Sequence, residues 1–303
     1  MHHKIIYLSF GGTKFYDQTR FSILTLLDLL LKQNRNDIRI LVFTDCPKET
    51  PVHDFVESFE ITPSEIGLFR GPLDFVHRVK LEVLRRAEAT IGLPFIYVDC
   101  DTRWIKIPNE PLDLLANGEQ VFFMHKDEGS ISDNYFPDFF RLLHDKKSQL
   151  LAWGVRSVPP WNMWNAGTVG IPAKATGLID QMLTINDALL PYAKSRTFVE
   201  QLSVSLVATT RFDVKPFDDC LIHYWGYSHE LPVVLRRFFV SLPSDLSVEK
   251  MAEQCGLFSL DETKMQDMHR SPLNRLTRLR KRISNSFRKR KGDFTAWRLR
   301  NGI

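Results

Sequence analysis

Short apolar runs closed by turn residues alternate with longer stretches of helical periodicity through the first three quarters of the chain. Lys4 to Phe10 is β-branched and apolar, Gly11-Gly12-Thr13 breaks the run, and Asp17 to Leu31 then repeats Phe21, Leu24, Leu27, Leu30 and Leu31 at helical spacing. Ile38 to Asp45 reads as a second strand, so the chain opens β-α-β, which predicts a parallel sheet with right-handed crossovers. Phe75 to Ala89 has a helical pattern carrying Arg78, Lys80, Arg85 and Arg86, and it leads into a buried strand, Phe95-Ile96-Tyr97-Val98. Gln120 to His125 is a further strand, and Trp161 to Pro172 is an aromatic and amide-rich stretch entering another. Thr197 to Ala208 is helix-like, with Glu200-Gln201 near its start. Phe212-Asp213-Val214 and Cys220 to Gly226 read as late strands, the second of which carries His223.

The chemistry concentrates where the buried strand ends, at Asp99-Cys100-Asp101. Open α/β sheets place ligands at the C-terminal ends of their strands. Two carboxylates one residue apart there can turn toward one hard cation, because the chain is already leaving the sheet, and oxygen ligands suit magnesium or manganese. A solvated strand end or a helix cap is the alternative for such a triplet. The first turn, Gly11-Gly12-Thr13, is neither a dinucleotide fingerprint nor a phosphate-binding P-loop, since Gly-x-Gly-x-x-Gly and Gly-Lys-Ser/Thr are both missing.

In order along the chain, Ile6-Tyr7-Leu8-Ser9-Phe10-Gly11-Gly12, Tyr97-Val98-Asp99-Cys100-Asp101, Asn165-Ala166-Gly167, Glu200-Gln201 and Ile222-His223-Tyr224-Trp225-Gly226 resemble glycosyltransferases of the GT-A fold, nearest to the family 8 type, over residues 4 to 230. The resemblance implies an α/β fold with a mixed, mostly parallel central sheet flanked by helices. It also implies a Mn2+ (or Mg2+) ion held by Asp99, Asp101 and His223, which in turn binds the diphosphate of a nucleotide-sugar, by family habit a uridine diphosphate sugar. Phe10, Gly11 and Tyr16 are then the candidates for the base and ribose, Arg78 and Lys80 for the phosphates, and Asn165, Ala166 and Gly167 for the transferred sugar. Glu200 and Gln201 are both candidates for the side chain near the anomeric carbon. Trp161, Trp164 and Trp225 are candidates to stack on acceptor rings or to fill the core. One departure concerns the donor phosphates: where the family has a Gly-x-x-Lys-Pro-Trp-like stretch, this chain has Gly226-Tyr227-Ser228-His229-Glu230 and no lysine. The likeness implies a retaining transfer; an inverting one would draw its base from Asp127, Glu128, Asp133, Asp218 or Asp219.

Charge adds a second theme. The net charge is +4, but residues 271–303 hold eleven Lys or Arg against Asp293 alone, so the tail carries +10 and the rest −6. Leu273, Leu276, Leu279, Ile283 and Phe287 recur at helical spacing among those cations, with Phe294 and Trp297 following. A basic amphipathic helix of this kind suits an anionic membrane surface, each nearby cation contributing about 1 kcal/mol. The expected organisation is therefore a catalytic domain over 1–243 and a C-terminal helical region over 244–303, with the acceptor a glycan or a lipid-linked glycan and no specific nucleic acid as partner. With no apolar run of about 18 residues and no leader pattern, the expected place is the cytosol, peripheral to the inner face of the cytoplasmic membrane. Cys46, Cys100, Cys220 and Cys255 show no Cys-x-x-Cys spacing and read as reduced thiols. The competing function class is a nucleic-acid- or membrane-binding protein with a non-catalytic nucleotide-binding-like domain, which accounts for the tail but not for the acidic pair.

Overall fold

A computed structural model describes residues 2–118, 120–260 and 262–270. The basic tail and its expected amphipathic helix, 271–303, lie outside the described residues. In chain order the elements are β1 (His3–Ser9), α1 (Thr13–Lys32), β2 (Ile38–Thr44), β3 (Val56–Glu60), α2 (Pro63–Phe69), α3 (Arg78–Ile91), β4 (Phe95–Val98), β5 (Thr102–Trp104), α4 (Asn109–Ala116) and β6 (Val121–Met124). There follow β7 (Asp127–Ser130), α5 (Pro137–Asp145), α6 (Lys147–Ala152), β8 (Asn162–Trp164), β9 (Thr168–Ile171), α7 (Leu178–Leu189), α8 (Val199–Arg211), β10 (Asp213–Pro216), β11 (Leu221–His223), α9 (Glu230–Ser241), α10 (Val248–Leu257) and α11 (Glu262–Arg270). The result is an α/β fold whose main strands are mixed and mostly parallel, flanked by helices.

The described residues divide into two compact units: 2–62, 98–109 and those from 218 onward form one, and 63–97 with 110–217 form the other. In the first, β1, β2 and β3 run parallel, with Ile5 opposite Ile40 and Tyr7 opposite Val42. The β-α-β opening therefore takes the predicted form, while β3, an edge strand with only two apolar residues and none buried, has too little apolar signal to be read in advance. Helix α1 starts at Thr13, four residues before the expected start at Asp17, because Gly12 ends the strand turn and its carbonyl accepts the first helical N–H groups, those of Phe15 and Tyr16. In the second unit the strand order is β10-β6-β9-β4, with β10 parallel and β9 antiparallel to β6, and α7 packs against both α3 and α8. Among the described residues no helix is long and apolar enough to cross a membrane. All four cysteines are free thiols.

Helix α10 closes over α1, and a glycine permits the approach. A Cβ added at Gly256 would lie 1.9 Å from Oδ2 of Asp28 and 2.5 Å from its Cγ. Asp28 is buried and holds the Lys32 ammonium at 2.7 Å, so it has little room to yield. Beside this contact Phe21 meets Phe238 and Phe258 edge-on at 6.4 and 6.2 Å, and those two rings stack at 4.1 Å. Alanine is the better helix former by about 1 kcal/mol. Gly256→Ala is nevertheless expected to destabilise the chain by about 1–3 kcal/mol through overpacking, read as a fall of several degrees in the thermal midpoint. An unchanged or raised midpoint would show that Asp28 can swing aside.

Candidate functional site

The two aspartates sit where β4 ends and β5 begins, and β5 pairs antiparallel with β11, so that His223 lies opposite Thr102. Tyr224 N–H donates to the Asp101 carbonyl at 2.8 Å and holds the end of β11 against the acidic turn. Residues 122 positions apart are thereby brought together: His223 Nε2 lies 3.2 Å from Asp101 Oδ1 and 3.8 Å from Asp99 Oδ2. One donor atom from each residue falls within a 4.8 Å sphere of mutual distance, and the three side chains are partly buried but open to solvent at the carboxylates. Adjacent ligands of an octahedral ion at about 2.0–2.1 Å stand about 3 Å apart; the His223–Asp101 pair has this spacing, and Asp99, at 3.8 Å from the imidazole, must draw in to complete a set of two oxygens and one nitrogen around a small divalent cation. That donor set matches manganese or magnesium chemistry.

The turn bearing the aspartates is fixed from behind by helix α1. Gln18, Ser22 and Thr25 lie at i, i+4 and i+7 on one face of α1 and meet Cys100 in the acidic turn and Thr102 and Trp104 on β5. Thr102 Oγ1 donates to the Asp99 carbonyl at 2.9 Å and lies 2.7 Å from Ser22 Oγ. Ser22 Oγ is 2.9 Å from the Tyr7 hydroxyl, which accepts from Trp104 Nε1 at 2.6 Å. A hydroxyl has one proton to give, so the chain runs one way: Tyr7 to Ser22 to Thr102 to Asp99. Burial pushes the Tyr7 phenol well up, which keeps it a donor. Burial, and then the charges of Asp101 and Asp99, hold the Cys100 thiol well above its ordinary range and therefore neutral. On the other side of β5, the Arg103 guanidinium donates to the carbonyls of Gly256 and Phe258 at the C-terminus of α10, an end that favours a cation.

In the same unit, the first turn is organised by Asp45, the residue after β2. Gly11 N–H donates to Asp45 Oδ2 at 3.1 Å and the Tyr16 hydroxyl to Asp45 Oδ1 at 2.8 Å. Partial burial and the Asp45 carboxylate raise the Tyr16 phenol to about 12. Phe10 stands half-buried at the mouth of this turn.

The second unit holds a separate polar cluster. Lys80, on α3, is buried; its Nζ lies 2.9 Å from the Ala166 carbonyl, 3.3 Å from Glu200 Oε1 and 5.2 Å from the Tyr97 ring centroid. Asn165 Oδ1 accepts the Gly167 N–H at 2.9 Å, while Asn165 Nδ2 donates to Glu128 Oε1 at 2.8 Å. Gln201 Oε1 accepts the Ala166 N–H at 3.4 Å, and Gln201 Nε2 donates to Glu128 Oε2 at 2.9 Å. Both oxygens of Glu128 are thus gripped by amides. A β-bulge between Asp127 and Gly129 aims that carboxylate, and Gly129 has φ +98°, which a residue with a side chain rarely adopts. Arg78 is engaged differently from Lys80. Its guanidinium forks onto Asp187 at 2.8 and 2.9 Å and also donates to Glu82 and the Phe69 carbonyl, so it braces α3 against α7.

No family model matches the chain, and no curated protein matches it. Solved structures do. The chain is similar to mouse xyloside xylosyltransferase 1 in its apo form, with a TM-score of 0.45 and 9% identity over 82% of this chain and 96% of that one. It is similar to the galactosyltransferase LgtC in complex with donor and acceptor sugar analogues, with a TM-score of 0.45 and 11% identity over 80% and 98%. It is also similar to the apo bifunctional glycosyltransferase WbbM, with a TM-score of 0.45 and 13% identity over 78% and 44%.

Three features of the site went unread in the sequence. Asp45 carried a faint signal, being a carboxylate at the C-terminal end of a parallel strand. Glu128 appeared only as one of several acids, and nothing local shows that two amides from distant segments close on it. The polar stripe of α1 was visible as Gln18, Ser22 and Thr25 within an apolar helix, yet its meaning depends on β5. Of the three tryptophans, Trp161 and Trp164 are buried, Trp161 with its indole N–H on the Arg156 carbonyl, and Trp225 is 55% exposed beside β11.

Proposed function

We propose that this chain is a divalent-metal-dependent glycosyltransferase of the GT-A, family 8 type, moving a sugar from a nucleotide-sugar, a uridine diphosphate sugar by that likeness, to a glycan or lipid-linked glycan with retention of configuration. The observation that carries the reading is the convergence of Asp99, Asp101 and His223 behind a dedicated hydrogen-bond chain. A bound divalent cation would supply positive charge to the departing diphosphate oxygens as a Lewis acid. Transfer breaks the bond between the anomeric carbon and the diphosphate oxygen and forms one to an acceptor hydroxyl oxygen, whose proton leaves with the departing diphosphate, so the chain's own groups must position both partners.

In this reading Phe10, Gly11 and Tyr16 receive the nucleoside, with Asp45 fixing the last two. Asn165, Ala166 and Gly167 face the sugar. Gln201 is the better candidate than Glu200 for the group near the anomeric carbon, because the Glu200 carboxylate is turned to Lys80 while the Gln201 amide lies against Ala166 and Glu128. A carboxamide held at both ends is a preorganised dipole, which stabilises developing charge without reorganising. Residues 1–243 would form the catalytic part. The basic segment 271–303 would hold the protein on the cytoplasmic face of an anionic membrane, next to a lipid-borne acceptor.

The test is a panel of nucleotide-sugars incubated with the intact chain, with Mn2+, with Mg2+ and with chelator. Metal-dependent cleavage of one donor is expected. If none of the donors is cleaved or bound with either metal, the reading falls and the acidic pair is structural.

A further inference from the structure

The loop between β7 and α5 presents an aromatic ring that the core does not use. Tyr135 is 57% exposed, whereas the neighbouring Phe139 and Trp161 are buried. Its backbone is nevertheless pinned, since Ser132 and Tyr135 exchange N–H···O=C bonds of 2.7 and 3.1 Å and the Tyr135 N–H also reaches Ser132 Oγ. The ring meets Phe136 edge-on at 4.9 Å. Phe136 itself takes a left-handed conformation, φ 61° and ψ 49°, which is unusual for a bulky residue, and it lies at the start of α5.

The other neighbour of the ring is Gly129. A Cβ built there would lie 3.6 Å from Tyr135 Cε1, so the phenol ring lies beside bare backbone at the bulge that aims Glu128. An exposed flat ring over bare backbone, with a carboxylate on the adjacent residue that still has lone pairs to accept from hydroxyls, offers the two elements that recognise a sugar. The apolar C–H face of a pyranose packs on an aromatic ring, and its hydroxyls require hydrogen-bonding groups around the rim.

We infer that Tyr135, Gly129 and Glu128 form a subsite for the acceptor's sugar ring, with Tyr135 as the stacking platform. The inference rests on the glycosyltransferase reading and adds to it which face of the second unit takes the acceptor. Neither buried tryptophan can serve that purpose.

The experiment is saturation-transfer NMR on the full chain, without any donor, using methyl glycosides of glucose, galactose, xylose and N-acetylglucosamine together with lactose, on the wild type, Tyr135→Ala and Tyr135→Phe. Thermal midpoints of both variants establish that they are folded. Transfer to the ring C–H protons of at least one glycoside is expected in the wild type. The affinity should fall about five- to tenfold in Tyr135→Ala and stay within about threefold in Tyr135→Phe, because the ring and not the hydroxyl carries the contact. If no glycoside receives saturation from the wild type, or if Tyr135→Ala binds as the wild type does, the subsite is overturned. Because no nucleotide-sugar is present, this failure is separate from that of the donor panel, on which the transferase reading depends.

Discussion

Asp101→Ala is expected to lower the affinity of the chain for Mn2+ by more than about 100-fold if the proposed metal site holds, because loss of a direct ligand should exceed the 10–100-fold cost usual for removing an outer-shell partner. Asp101 lies closest to His223, at 3.2 Å against 3.8 Å for Asp99. Removing its carboxylate leaves one oxygen and one nitrogen donor, and two donors hold a labile divalent ion poorly in water. Calorimetric titration, or the decrease of the free Mn2+ electron-spin signal, reads the change directly and needs no substrate. Thr102→Val provides the graded comparison. It keeps the shape of the side chain but cuts the hydroxyl chain at the Asp99 carbonyl, and it should weaken the ion by about tenfold, the lower end of the outer-shell range. Mn2+ bound equally well by Asp101→Ala and the wild type would mean that the cluster is an ordinary surface arrangement of acid and imidazole, and the proposed function would lose the observation that carries it.

The order of the two effects depends on a part of the molecule that the sequence showed only in fragments. Asp99 and Asp101 were legible because the carboxylates follow an uninterrupted apolar run, and that run forms β4 with all four residues buried. His223 was legible as a histidine at the end of a strand, but its meeting with Asp101 follows from β5 pairing with β11, and β5 is only three residues long. A strand so short carries no periodicity to detect. The support beneath it is legible only in retrospect. Ser22 and Thr25 are ordinary helix residues until Thr102 and Trp104 of β5 are seen against them. The α/β class and parallel opening came from β1, α1 and β2, where apolar residues are dense. The tight seam of α1 against α10 was not readable, since Gly256 in a sequence looks like a weak helix position and becomes a requirement only when Asp28 is seen beneath it. Arg78 and Lys80 show the same limit most clearly. They stand two residues apart with the same charge, yet Arg78 faces Asp187 and Glu82 while Lys80 faces Glu200 and the Ala166 carbonyl.

Lys80→Met is therefore expected to destabilise the fold strongly, by about 3–5 kcal/mol, the usual cost of removing one member of a buried ion pair. Lys80 and Glu200 are 8% and 4% exposed, so water cannot replace the missing ammonium, and the Ala166 carbonyl loses its donor as well. Methionine fills a similar volume, which keeps a cavity from adding to the loss. For a chain of this size the thermal midpoint should drop by about 10 °C. The double variant Lys80→Met/Glu200→Leu is the decisive companion. With both charges gone, no ion is left in a poor environment, and most of the lost stability should return, since replacing a whole buried pair by apolar groups is often neutral. Phosphate recognition by Lys80 makes the opposite prediction: the midpoint of the single variant would move little, the double variant would bring no recovery, and affinity for the nucleotide-sugar would fall in both. Thermal denaturation of the wild type and the two variants separates these cases. If the recovery is seen, Lys80 holds the Ala166 backbone in place beside Asn165 and Gln201, and its contribution to a bound sugar is made through them.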